Sequence, residues 1–362
     1  SSLSVIRIIM MVYTKKFSLL QSLLLIAIAT THGGETTANE SQRGECTGQN
    51  CESIVVVEED GTLKHGVAAD PQPPSPVPPA AKTTGAATDT FSRIKENRIW
   101  NAVVEQQGEV PFGNILDAGT GVNSINFIAT LVEHGMTNYT AVTGSENMHK
   151  KVQKEAEDLG IQEMGDVIYG NWFHEENYPL EMDEMYDVIL VDYLIGAMDA
   201  FSPYMQDAML SKLVSYLNPG GRMYVVGLEP IPDVVPPDAY GGDKDSVVGA
   251  NMICQMKHLR DSCVLLSGSR IYREFPQTWM ERQFEKLNEM SVLHTEVFPR
   301  RWYRQSFKKE IENGRMLLYK MVSEELALQM KNELDEIQRQ FFNILQKVEG
   351  GYIELGSDYL VV

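Results

Sequence analysis

Between Asn114 and Val122 the chain reads Asn–Ile–Leu–Asp–Ala–Gly–Thr–Gly–Val. Ile115 and Leu116 run into an acid, Asp117, and two glycines, Gly119 and Gly121, then flank Thr120. Ile125, Phe127, Ile128, Leu131 and Val132 follow at helical spacing. This is strand, tight turn, helix. Two positions without a Cβ let a backbone approach a ligand closely, and the helix start offers free N–H groups to it. A nucleotide-type ligand suits such a turn, although many strand–helix connections of this kind bind nothing. A dinucleotide fingerprint would need a third glycine where Ser124 stands, which counts against a nicotinamide or flavin ligand.

Three later strand ends carry polar residues in step with the first. They are Gly144–Ser–Glu146, Gly170–Asn171 and Asp192. Glu146 stands at the distance past a glycine turn where a carboxylate takes ribose hydroxyls. An acid after a strand is commonly a surface cap, but four in order make a shared cleft the better reading.

The elements that must position them alternate. Strands are expected at 114–117, 139–143, about 166–169, 186–192 and 222–228. Helices are expected from Ser124, at about 147–159 and around 202–217, and the turn Asn218–Pro–Gly–Gly221 introduces the fifth strand. Ile99, Trp100, Val103 and Val104 mark a helix covering the sheet edge or the cleft mouth. Past a proline- and glycine-rich loop at 229–242, helices are expected at about 246–264 and 277–289, a sixth strand at 292–298, helices at about 303–314 and 323–347, and a last strand at 358–362. Short, apolar, β-branched strands between helices give an α/β fold, doubly wound, with a mostly parallel sheet covered on both faces. Helical insertions stand before and after strand six.

These residues resemble the class I S-adenosylmethionine-dependent methyltransferases. The likeness is carried by Leu116–Asp–Ala–Gly–Thr–Gly121, Gly144–Ser–Glu146, Gly170–Asn171, Tyr186–Asp–Val–Ile–Leu–Val–Asp192 and Leu217–Asn–Pro–Gly–Gly–Arg222. It implies a Rossmann-like, seven-stranded sheet whose last strand runs antiparallel between the fifth and sixth, a slot for Tyr359–Val362. It implies S-adenosyl-L-methionine as cofactor: Asp117, Gly119, Thr120 and Gly121 at the methionine part, Glu146 on the ribose diol, Asn171 on the adenine amine, Asp192 near the sulfonium. The family often has Asp where Asn171 stands, and an apolar residue where Ser145 stands.

The expected activity is O- or N-methylation of a small-molecule acceptor. A protic acceptor needs a base, and Asp192 and Tyr193 are the nearest candidates. His174 and His294 are weaker candidates for that base, since a lone histidine is more often structural, and Glu229 and His294 are weak substrate-side candidates. The loop at 229–242 with its following helices is the expected lid and acceptor pocket. Two other readings stand beside this one: a non-catalytic cofactor- or protein-binding module on the same scaffold, and an aminopropyltransferase. The latter needs an acidic cluster after Asp192 that the sequence lacks.

Composition limits the partners. Among 362 residues, 31 basic against 50 acidic side chains leave −19, without a basic block. Nucleic acid is therefore not expected, and no metal-ligand spacing such as C-x-x-C occurs. Residues 1–29 fit a secretory signal: Lys15–Lys16, an apolar run from Phe17, then Ala27 and Ala29. The alternative is an uncleaved membrane anchor. Residues 30–90, with the tract Pro71–Gln–Pro–Pro–Ser–Pro–Val–Pro–Pro79, read as a disordered linker, and 91–362 as the folded domain. A secreted chain could close a small Cys46–Cys51 disulfide loop and use the sequons at Asn39 and Asn138. Cys254 and Cys263, nine positions apart on one helix, lie roughly 13 Å apart, too far to pair.

Overall fold

The computed structural model describes residues 97–181 and 184–362, with two short strands upstream. The chain divides into two units, Ser1–Ala80 and Ala81–Val362. In the first, β1 (Val55–Val57) pairs antiparallel with β2 (Leu63–His65). From sequence Val55–Val57 has no visible partner, because Leu63–Lys–His65 lacks β-branched residues and strand alternation. The signal segment, the proline tract, Cys46, Cys51 and Asn39 lie outside the described residues.

Among the described residues the second unit begins with α1 (Arg98–Gln107), capped by Asn97, whose Oδ1 accepts from the Ile99 amide at 3.0 Å. Trp100 stacks on Phe127 with centroids 4.3 Å apart. With Val103 it packs among Ile115, Val188 and Leu190. So α1 seals one face of the sheet and does not cover the cleft mouth.

Then follow β3 (Gly113–Asp117), α2 (Val122–Thr130), β4 (Met136–Thr143), α3 (Glu146–Leu159), β5 (Gly165–Tyr169) and β6 (Tyr186–Asp192). Next come α4 (Leu194–Phe201), α5 (Gln206–Val214) and β7 (Leu217–Leu228). The Asn218–Gly221 turn sits inside the β7 span, where register slips between Tyr186↔Leu217 and Val188↔Arg222. After β7 the chain forms α6 (Lys244–Leu266), α7 (Gln277–Phe284), β8 (Thr295–Trp302), α8 (Arg304–Arg315), α9 (Glu324–Leu345) and β9 (Ile353–Val361).

Seven strands lie in the order β5–β4–β3–β6–β7–β9–β8. Neighbours from β5 to β7 are parallel, and β9 is antiparallel to both β7 and β8. This is the doubly wound sheet the alternation predicts, with its last strand in the slot the resemblance implies. Strand order reverses between β3 and β6. There the outgoing connections part to opposite sides and leave a crevice at the carboxyl ends.

Apolar residues pack on both faces, Phe127 and Ile128 on one, Met209 and Leu210 on the other. A third core joins α6, α8 and α9, with Phe307 stacked on Phe341 at 3.9 Å. Cys254 and Cys263 are free, buried fillers of α6.

Two local departures matter for the site. The helix expected around 202–217 is the shorter α5, which starts at Gln206 after Tyr204 turns left-handed at φ 70°. And α4 has no counterpart in the sequence reading. It contains Gly196, lacks a side-chain cap, and follows Tyr193, which is left-handed at φ 50°. Helix signals of the ordinary kind are missing there.

Candidate functional site

The crevice is a cavity of about 480 Å³, walled by the turn Ala118–Asn123, by Thr143–Ser145, Asn171, Asp192, Tyr193 and α4. The turn is pinned before any ligand arrives. Ala118 N donates to Leu190 O at 2.9 Å, Thr120 N to Val142 O at 2.7 Å, and Trp172 Nε1 to Ala118 O at 2.8 Å. Ser124 Oγ accepts from Gly121 N at 2.9 Å, so the residue in place of a third glycine closes the helix start. A Cβ on Gly119 would come within 2.9 Å of Leu194, whereas one on Gly121 would meet open space. Gly119 is thus required by packing, and Gly121 leaves the backbone bare toward the cleft.

Asp117 is fully buried behind this turn, and neither of its carboxylate oxygens has a hydrogen-bond partner. Burial pushes its carboxyl up to about 6, against longer contacts from Thr120, Ser124 and the Gly119 amide. Asp192 lines the cavity, yet its Oδ1 is sealed and unpartnered. Burial pushes it up to about 8, helped by the charges of Asp117 and Asp358. β3–β6 pairing explains the proximity: Asp117 stands opposite Leu190, two residues short of Asp192.

Asp358 is the residue that sequence reasoning missed. It lies on β9, opposite Leu228 at the carboxyl end of β7. Tyr193 Oη donates to its Oδ1 at 2.9 Å. Burial raises the Asp358 carboxyl, while Arg300 and the Tyr193 hydroxyl pull it back. Burial first, then the charges of Asp358 and Asp192, hold the Tyr193 hydroxyl above the ordinary tyrosine range.

Other expected residues fall elsewhere. Glu146 is outside the cavity wall: its side chain is 64% exposed and pairs with Lys150 at 2.6 Å. Only Gly144 and Ser145 separate β4 from α3. Ser145 caps the helix, and Glu146 is already in its first turn. Asn171 lines the cavity, but its amide is engaged: Nδ2 donates to Phe201 O at 3.1 Å, and Oδ1 accepts from Ser202 Oγ at 2.7 Å and Phe173 N at 3.1 Å. The Phe201 ring presses on Gly144, where a Cβ would meet it at 2.9 Å. Glu229 caps α7, accepting from Gln277 N at 2.7 Å, and lines neither cavity. His294 bonds to Val362 at the opposite rim of the sheet, with Glu296 at 3.5 Å. His174 is exposed and Asn138 is an exposed strand residue.

A second cavity of about 480 Å³ adjoins the first and shares Asn123, Tyr193, Ala197 and Tyr272 with it. Lys257, Arg260, Arg273, Arg300 and Lys309 line it against Glu274, Glu310 and Asp358. Lys257 pairs with Glu274, and Arg260 with Glu310 at 2.6 Å. From the loop at 229–242 only Ile231 reaches this wall, and Val235 is buried in the third core, so the loop is anchored to the body. The Ser267–Pro276 segment is a strap over α4. Arg273 N donates to Gly196 O at 3.1 Å, and buried Asp199 holds Arg270 at 3.2 Å and Arg273 at 3.1 Å. Among the described residues no group of three or more His, Cys, Asp or Glu could hold a metal ion.

No protein-family model matches the chain. No curated protein sequence matches it either. Solved structures give distant likenesses. One is an S-adenosylmethionine-dependent methyltransferase from Geobacter sulfurreducens in complex with S-adenosyl-L-homocysteine: 13% identity, 77% of this chain and 90% of that one, TM-score 0.36. A methyltransferase from Thiobacillus denitrificans with the same ligand gives 13%, 76% and 97%, and 0.39. The cyclopropane synthase MmaA2 from Mycobacterium tuberculosis gives 15%, 70% and 79%, and 0.38. Likeness of this degree assigns no activity.

Proposed function

We propose that the chain is a methyltransferase that holds S-adenosyl-L-methionine in the first cavity and a small protic acceptor in the second. The observation that carries this reading is the pair of carboxylates at the switch point of the sheet, Asp192 in the cavity wall and Asp117 sealed just behind it. Buried carboxylate oxygens without partners are costly. A ligand bearing an ammonium and a sulfonium supplies positive charge to both carboxylates and a donor to Asp192, the one that lines the cavity. When bound, this cofactor supplies an electrophilic methyl group.

The chain's own residues orient and desolvate. Asp192 and the Ala118–Gly121 backbone favour the amino-acid end, with Asp117 acting on it only through its charge from behind the turn, and Val142, Met148 and Phe201 give apolar wall to the nucleoside. Tyr193, between the chambers, faces the acceptor. Holding two reactants in line and excluding water accounts for much of the rate enhancement in such a transfer. The acceptor is a small molecule with an O–H or N–H nucleophile, matched to a chamber of mixed charge. The aminopropyl reading is disfavoured: a polyamine would meet Lys257, Arg260, Arg273, Arg300 and Lys309.

One specific observation favours the non-catalytic module. Glu146 stays outside the cleft wall, and Asn171, though in that wall, already bonds Phe201, Ser202 and Phe173, so neither expected nucleoside partner is free. Calorimetry on the full chain separates the readings. S-adenosylmethionine and S-adenosylhomocysteine should both bind, with Asp117→Asn weakening each at least tenfold. Silence with both ligands sinks the proposal. Binding without mass gain in any fraction of a metabolite extract favours the module.

A further inference from the structure

We propose that Asp192 is a charge-coupled proton store: it is ionised beside the sulfonium and takes the acceptor's proton when that charge is lost. This deepens the methyl-donor reading above and rests on it. Asp192 lines the first cavity, its Oδ1 is sealed and unpartnered, and the adjoining chamber begins at the next residue, Tyr193.

The groups that face it are few. Asp117 approaches from β3, Asp358 from β9 and Tyr193 from the same chain turn, and Arg300 from β8 acts on Asp358 and Tyr193. Glu229, after β7, is committed to Gln277. The charges that bear on Asp192 directly are those of Asp117 and Asp358, with Arg300 one group further off, so its proton affinity, about 8, depends on whether a further cation sits nearby.

The bookkeeping of the transfer balances. The S–CH₃ bond breaks and its electron pair stays on sulfur. The acceptor atom X gives a pair to the new X–CH₃ bond and loses its proton. The same event turns a cationic sulfonium into a neutral thioether. The proton affinity of Asp192 rises as X–H becomes acidic, and its carboxylate takes that proton.

Binding alone tests this, with no acceptor needed. S-adenosylmethionine and S-adenosylhomocysteine share every group except the charged methyl sulfonium. At pH 7.5 a carboxyl titrating near 8 is roughly three-quarters protonated. Calorimetry of the full chain in buffers of different ionisation enthalpy should show S-adenosylmethionine releasing about half a proton or more beyond S-adenosylhomocysteine. Asp192→Asn should abolish that difference while still binding S-adenosylhomocysteine. Equal release from the two ligands, both bound, overturns the proposal, as does a difference that survives in Asp192→Asn. If neither ligand binds, the donor reading itself falls. Should Asp192→Asn fail to fold, Asp358→Asn serves: removing a neighbouring charge must shift the pH midpoint of proton release downward by about half a unit or more, and an unmoved midpoint refutes the coupling.

Discussion

Replacing Asp192 by Asn should make the ligand-free protein more stable at alkaline pH, and the gain should grow with pH. The carboxyl titrates at 3.8 in an unfolded chain and at about 8 in the fold. Below 3.8 both states are protonated and the group costs nothing. Above it the unfolded state ionises while the folded state stays neutral, so stability falls until pH passes the folded value, then levels. An amide of the same shape carries no such penalty. Between pH 5 and 8 the wild type therefore loses up to about 4 kcal/mol relative to the variant, three units at about 1.4 kcal/mol each. Water reaching the cleft side of the residue lowers the expectation to about 2–3 kcal/mol. Guanidinium unfolding of both proteins at pH 5, 6, 7 and 8 reports this group together with its coupling to Asp117 and Asp358, since the titrations of groups remote from it cancel in the difference. A difference that stays below about 1 kcal/mol at all four values would show that Asp192 is fully solvated, and the electrostatics of the switch point would have to be redrawn.

Further expectations are simpler. Gly119→Ala forces a methyl against Leu194 Cβ at 2.9 Å and should cost about 1–3 kcal/mol; measured against Leu194→Gly alone, which removes that Cβ, adding Gly119→Ala should cost less than half as much, and an unchanged cost refutes the contact. Glu146→Gln should leave S-adenosylhomocysteine affinity within about twofold, because the side chain is exposed and tied to Lys150; a tenfold loss would restore it to the site.

What could be read in advance follows from sequence distance and from periodicity. The parallel strands are apolar runs closed by an acid or glycine, so Asp117 and Asp192 could be placed at one rim without coordinates. Asp358 could not, because it reaches that rim only through the antiparallel insertion of β9 between β7 and β8. Spacing puts Glu146 near the cleft, but the Ser145 cap starts the helix one residue earlier and sends the side chain along α3. Asn171 lies where expected, and its amide is consumed by a helix whose Gly196 and left-handed Tyr193 conceal it from pattern reading. Glu229 and His294 had position alone to recommend them. A helix N-terminus claims the first and the far rim holds the second.

Asp199 carries one more consequence. By gripping Arg270 and Arg273 together it fastens the strap to α4, so Tyr272 and Ala197, which divide the two chambers, belong to one stiff partition. A wall of that kind cannot yield toward one occupant without encroaching on the other. Under the proposed methyl transfer, the bulk tolerated in the acceptor is then decided partly by what already fills the neighbouring room, and enlarging either ligand should be felt as a steric toll on its companion.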